Sequence, residues 1–115
     1  MANLQNSSDL PVIALTDGAN IALDLSLGEL FSVTLAGNRT LSNPTNGKPN
    51  QTVRILVTQD ATGSRTLVYG TNYRRNGAAA VALSTVATRV DLLELFSADG
   101  VIYIVRSPVL HVGSA

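Results

Sequence analysis

The chain has 115 residues, no cysteine, a formal net charge of zero, and 14% charged against 45% hydrophobic side chains. That length suits one domain with its own core. The composition excludes a disordered chain, disulfides, thiolate metal sites and cysteine nucleophiles. No basic excess draws the protein toward nucleic acid or an anionic membrane, and so sparse a charge suits contact with copies of itself or a partner.

In chain order, the polar opening "MANLQNSSDL" reads as a flexible N-terminal arm over residues 1–10, ahead of a β-domain over 11–115. It has neither the basic start nor the apolar run of a secretory signal. No apolar run nears the ~20 residues needed to span a bilayer. Synthesis and folding in the cytosol are therefore expected, with no membrane partner.

Strand patterns follow. "NIALDLSL" alternates Ile21, Leu23, Leu25 and Leu27 with small or polar residues, the period of a half-buried strand. "LFSVTLAG" does the same, with Phe31, Val33 and Leu35 inward. "GNRT" turns the chain through Gly37 and Asn38, both tolerant of positive φ. The short strand "RTLS" leads into "NPTNGKPN", the strongest loop signal, where two prolines and an Asn-Gly pair interrupt any ladder. "QTVRILVT" places Val53, Ile55 and Val57 on one face, and "RTLVY" is again β-rich.

Between these last two lies "QDATGSRT". Asp60 is placed to accept backbone hydrogen bonds from the residues after it, and Gly63 to take a left-handed conformation. Arg65 is within reach of either Asp60 or Asp91. The cluster therefore reads as a strand connection rather than an active site.

"LSTVATRVDLLELF" has helical spacing at Leu83, Val86, Val90 and Leu93, but its β-branched residues favour a strand from about Arg89. "ELFSADGVIYIVR" predicts a hairpin turning at Asp99-Gly100. Its second strand is apolar on both faces, which suits the centre of a sheet or a covered position. The whole predicts an all-β, single-domain antiparallel β-sandwich or jelly-roll-like small barrel, with no internal repeat.

Chemistry is thin. His111 is the only histidine, which leaves a histidine-based zinc site short of ligands. A triad around it would need partners that the sequence does not indicate. Asp91 and Glu94 differ in strand parity and point to opposite faces, a poor pair for glycoside cleavage. There is no strand-to-helix glycine-rich phosphate loop. No catalytic residue, metal or cofactor is expected. Arg74 and Arg75 are candidates for contact with a partner, though a solvated loop explains them as well.

"QDATGSRTLVYG", then "NGAAAVALST", then "VDLLELFSADGVIYIV" resembles a small β-domain recurrent in structural proteins of tailed bacteriophages, where a QD-x-T-G-[GS]-R-T turn precedes a VD strand and a DG hairpin. The upstream "TLSNPTN" belongs to the same pattern, and the resemblance runs from about Leu30 to Arg106. The chain departs from it at Pro49-Asn50-Gln51, where P-G-Q is common, and at Arg74-Arg75, where an aromatic is common.

The resemblance implies a non-enzymatic virion protein, frequently a trimer. A chain with no room for a fibre shaft leads to the expectation of a head decoration protein. It would be a homotrimer bound to the major capsid protein on the capsid surface. Asn3, Leu4 and Leu10 of the arm, with Arg74 and Arg75, would make contacts; Asp60, Gly63, Arg65, Asp99 and Gly100 would shape turns. The alternative is a tail-fibre or tail-tip module that binds a host glycan, for which Tyr69, Tyr73 and Tyr103 are the aromatic candidates beside two phenylalanines.

Overall fold

Alternating apolar residues build nine strands and no helix in the computed structural model, which describes residues 12–75 and 83–112. The arm expected over residues 1–10 lies outside the described residues, and Asn3, Leu4 and Leu10 with it. The strands are β1 (Ile13–Ala14), β2 (Asn20–Ile21), β3 (Leu30–Leu35), β4 (Arg39–Leu41), β5 (Gln51–Gln59), β6 (Leu67–Tyr69), β7 (Tyr73–Arg75), β8 (Val90–Ser97) and β9 (Tyr103–Val112). They form a six-stranded sheet in the order β1-β3-β5-β8-β9-β7 and a three-stranded sheet in the order β2-β4-β6.

The all-β expectation holds, but the antiparallel one is corrected. β1, β3 and β5 pair in parallel, as do β2, β4 and β6. The reason lies in the connections. After β1, β3 and β5 the chain crosses to the three-stranded sheet, adds a short strand there, and returns to the first sheet pointing the same way. Each crossing is an arch and not a hairpin, so successive strands of one sheet come out parallel. Only β8, antiparallel to β5, and β9, antiparallel to β8, follow the expected pattern.

Both sheets feed one core. Phe31, Leu35, Ile55, Leu93, Leu95 and Tyr103 of the larger sheet and Ile21 and Leu41 of the smaller are at most 1% exposed. At ~1.5–3 kcal/mol for each large apolar side chain buried, this cluster is the main stabilising element. β5 lies between β3 and β8, and a buried glutamine closes each of its ends. Gln51 Oε1 accepts the backbone N–H of Lys48 at 3.0 Å and the Tyr103 hydroxyl at 2.9 Å. Gln59 performs the same role at the other end.

Side chains tie the arches together. Asp17 accepts both Nε and Nη2 of Arg39 at 2.9 Å, and the N–H of Ala36 at 3.2 Å, joining the first arch to the second. Asn38 Oδ1 accepts the N–H of Thr66 at 3.0 Å, joining the second to the third. Gly37 does not take positive φ; a Cβ there would lie 2.8 Å from Arg39 Nη1, so the guanidinium would have to shift. At the opposite rim, Asn43 accepts the N–H of Asn72 at 2.7 Å and donates to the Thr71 hydroxyl. In "NPTNGKPN", Asn46 and Asn50 adopt positive φ.

β9 is central, between β8 and β7, as its two apolar faces suggest. Its register against β8 shifts twice, and one shift sets two residues of β9, Ser107 and Pro108, against Leu93. Proline lacks the N–H a ladder needs, so a bulge is where a strand accommodates it.

Candidate interaction surface

The cluster 59–66 forms the third arch. Asp60 Oδ1 accepts the N–H groups of Thr62 and Gly63, both at 3.1 Å, while Arg65 forks onto both carboxylate oxygens at 3.2 and 3.0 Å. That fork, then the two backbone donors, holds the Asp60 carboxyl below its ordinary range. Gly63 has φ +75°, and a Cβ there would lie 2.8 Å from both Ala87 N and Thr85 O.

Gln59 Nε2 donates to the carbonyls of Arg65 and Ser84, and its Oε1 accepts the Arg65 N–H, all at 2.9 Å. Segment 84–88 closes over the arch through Ser64 N–H to Thr85 O and Thr88 N–H to Asp60 O. Every polar atom named here bonds to the protein itself, in keeping with a strand connection. Arg65 selects Asp60; Asp91 instead points into the core, 2% exposed, where it accepts the Ser84 N–H at 2.5 Å.

Asp99 and Asp24 are held in the same way. Asp99 Oδ1 accepts the N–H groups of Val101 and Ile102 at 2.8 and 2.9 Å and the Ser97 hydroxyl, while Gly100 takes φ +83°. Asp24 Oδ1 accepts from Asn46 Nδ2, the Ser26 hydroxyl and the Ser26 N–H. Among the described residues no three histidine, aspartate or glutamate side chains cluster as metal ligands. His111 lies on β9. Arg74 bends its guanidinium onto the carbonyls of Thr71 and Tyr73, and the backbone of Arg75 pairs with Val105.

The outward face of the six-stranded sheet carries a row of charged and apolar side chains. Glu94 sits on it between two arginines, its Oε1 accepting Arg106 Nε at 2.8 Å and its Oε2 lying 3.2 Å from Arg54 Nη2. Arg106 and Arg54 remain 63% and 54% exposed. Beside this row, Phe96 and Ile104 are cross-strand neighbours, 42% and 46% exposed. With Ala98, Asp99 and Ile102 they line an almost wholly apolar groove of about 220 Å³.

Leu27 departs from the sequence reading. Ile21, Leu23 and Leu25 are buried as the alternation predicts, but Leu27 is 58% exposed. Asp24 captures Ser26 and turns the chain before the alternation can finish. The tyrosines depart as well: Tyr73 is 4% exposed and Tyr103 is fully buried, and Tyr69 leans on Tyr73 with ring centroids 5.8 Å apart. Phe96 is the aromatic that faces out. The signal for it was present in the two-sided apolar character of "VIYIVR", its partner strand.

A family model described as a putative phage tail fibre C-terminal domain matches residues 16–101. The chain belongs to that family. The matched span runs from the first arch to the hairpin turn, so it takes in β2 through β8. It makes the protein a structural component of a bacteriophage virion, as the sequence resemblance implies. No curated protein and no solved structure matches the chain.

Proposed function

We propose that the protein is a non-enzymatic module of the phage tail fibre that works through protein–protein contact. The family match over residues 16–101 carries this reading. It supports the tail over the capsid exterior, and the head decoration role expected from chain length gives way to it. The geometry agrees with a structural role: Asp17, Asp24, Asp60 and Asp99 are all engaged in holding loops. A small open groove lined mainly by Phe96, Ile102 and Ile104 is suited to an apolar side chain of another protein. A glycan-binding role draws less support, because Tyr73 and Tyr103 belong to the core.

Immunogold labelling of intact particles tests the location. Gold at the tail is the expected result, and gold spread over the head would overturn the reading. Saturation-transfer NMR with host-surface polysaccharide tests the mode of action. No transfer is expected, and transfer centred on Phe96 would replace protein contact with glycan contact.

A further inference from the structure

The loop between β4 and β5 carries an asparagine followed by a glycine, Asn46-Gly47. In such a pair the backbone nitrogen of the glycine attacks Cγ of the asparagine. Ammonia leaves, a cyclic succinimide forms, and water opens it to aspartate or isoaspartate. Water is the only co-reactant. Glycine favours the attack because no side chain shields its nitrogen. Of the other asparagines in the loop, Asn43 precedes a proline and Asn50 a glutamine, both poorer nucleophiles.

The packing leaves the pair accessible. Asn46 is exposed, and no hydrogen bond engages the Gly47 N–H among the described residues. Gly100, which follows Asp99 in the facing turn, instead donates its N–H to the Ser97 hydroxyl at 2.8 Å. Nor is Gly47 exchangeable, since a Cβ there would collide with the Tyr103 hydroxyl and the Gly100 carbonyl. The close approach at this rim therefore demands the labile pair.

Asp24 opposes the reaction. Its Oδ1 accepts a hydrogen bond from Asn46 Nδ2 at 2.8 Å, and others from the Ser26 hydroxyl and N–H. The Asn46 amide, then Ser26, holds this carboxyl below its ordinary range, so it is ionised at neutral pH. An ionised carboxylate has no proton for the departing amine. Its charge also disfavours the deprotonated Gly47 nitrogen and the oxyanion formed on attack. The backbone is tied as well, because Thr45 bonds to both Leu23 and Leu25. Ring closure needs Cγ aligned on the Gly47 nitrogen, so the amide must first leave Asp24.

We propose that Asn46 is a site of spontaneous deamidation, and that Asp24 restrains the reaction by holding its amide. Once converted, residue 46 sets a carboxylate against that of Asp24, and a donor–acceptor pair becomes a pair of like charges. The loop then loses its side-chain tie to the turn after β2. The modification undoes the contact that delayed it. All of this concerns the folded chain in solution and is independent of its place on the phage.

Tryptic peptide mapping by mass spectrometry, on the full chain held in mildly alkaline buffer, reads the change of amide to acid. Fragment ions place it within residues 40–54, and Asn76-Gly77 falls on a separate peptide. A synthetic peptide of residues 40–54 supplies the unrestrained rate. The folded parent should convert at Asn46 at least ~10-fold more slowly, the scale of releasing one hydrogen bond to a charged group. Asp24→Ala should recover most of that difference. Asp24→Asn, which keeps an acceptor without the charge, should fall between, and it carries the same test if Asp24→Ala loses the circular dichroism of the fold. Ser26→Ala loosens the same turn without touching the amide and should stay near the parent rate. In urea all these chains should match the peptide.

Asn46→Asp, the counterpart of the converted chain, should keep the fold and unfold at lower urea than the parent. A folded parent that converts as fast as the peptide, or Asp24 variants that convert no faster than the parent, would overturn the proposal. So would conversion at Asn43 or Asn50 ahead of Asn46, or an Asn46→Asp chain as stable as the parent.

Discussion

Asp60 and Arg65 form a two-pronged fork, with Nε and Nη2 of the arginine 3.2 and 3.0 Å from the two carboxylate oxygens. Asp17 and Arg39 form a second fork of the same kind, with both contacts at 2.9 Å. The first closes a single arch upon itself. The second joins two arches that are far apart in sequence. A planar guanidinium suits both tasks, because it fixes orientation as well as distance.

The third arch depends on a residue without a side chain. Replacing Gly63 with alanine puts a Cβ into the left-handed region and against the backbone of Thr85 and Ala87. The conformational cost is ~1–2 kcal/mol, and the crowding adds roughly 1–3 kcal/mol. Urea unfolding should show a loss of about 2–4 kcal/mol. Gly18→Ala is the matched control, since a Cβ there meets nothing within 4 Å. Its stability should be unchanged or slightly higher.

Gln59→Leu keeps the approximate size of a side chain that is 3% exposed but removes its donor and acceptor. The carbonyls of Arg65 and Ser84 and the N–H of Arg65 then lose partners. At ~1–3 kcal/mol for each buried group left unsatisfied, with partial rescue by water, a loss of about 2–4 kcal/mol is expected from the urea midpoint. An unchanged midpoint would mean that the glutamine does not hold the arch.

Acid should unfold the protein from one side. Asp17, Asp24, Asp60 and Asp99 all have carboxyls held below the ordinary 3.8. The leading causes are the Arg39 hydrogen bond, the Asn46 amide, the Arg65 fork, and the Ile102 and Val101 N–H groups, respectively. A carboxyl depressed in the folded state contributes stability that is present above its unfolded pKa and lost as pH falls toward the folded value. The melting temperature should therefore be flat from about pH 8 to pH 5 and fall below about pH 4. Asp60→Asn should start lower and fall less steeply.

Alkali should act through Tyr73. Burial raises its phenol above the ordinary 10.0, and its hydroxyl donates to the Ser42 carbonyl at 2.7 Å. A phenol raised in the folded state contributes stability that is complete below about pH 10 and lost as pH climbs toward the folded value. Tyr73→Phe should cost about 1 kcal/mol at neutral pH through the lost hydrogen bond. It should also blunt the fall in melting temperature above pH 10, which a pH series of thermal melts would measure. Equal slopes for the two proteins would exclude Tyr73 as the source.

Much of this was legible in the residues. Phe31, Val33 and Leu35, and Val53, Ile55 and Val57, show the core face by simple alternation, and all six are buried. Asp99-Gly100 marks its hairpin. Strand direction was not legible, because turn chemistry that favours a hairpin serves an arch equally well. The parallel stack also hides its repeat: Ile13 pairs with Phe31, and Phe31 with Ile55, so successive steps differ in length and no fixed period appears. The exposure of Leu27 was obscured for a related reason. Leu27 continues an inward pattern in the sequence, and only the turn at Asp24 takes it out of the core.

The antiparallel hairpin beside β5 also bears on the order of assembly. β8 and β9 pair across a connection of a few residues, whereas every parallel pair must first close a much longer loop. β5 can be laid onto β8 next, β3 onto β5, and β1 last. Structure would then spread from β9 toward β1, opposite to the direction in which a ribosome releases these strands. Pulse-labelled hydrogen exchange should find β8 and β9 protected before β1 and β3. If so, the stack stays incomplete until β9 has been made, and its early segments must wait, unpaired, for the template that forms last.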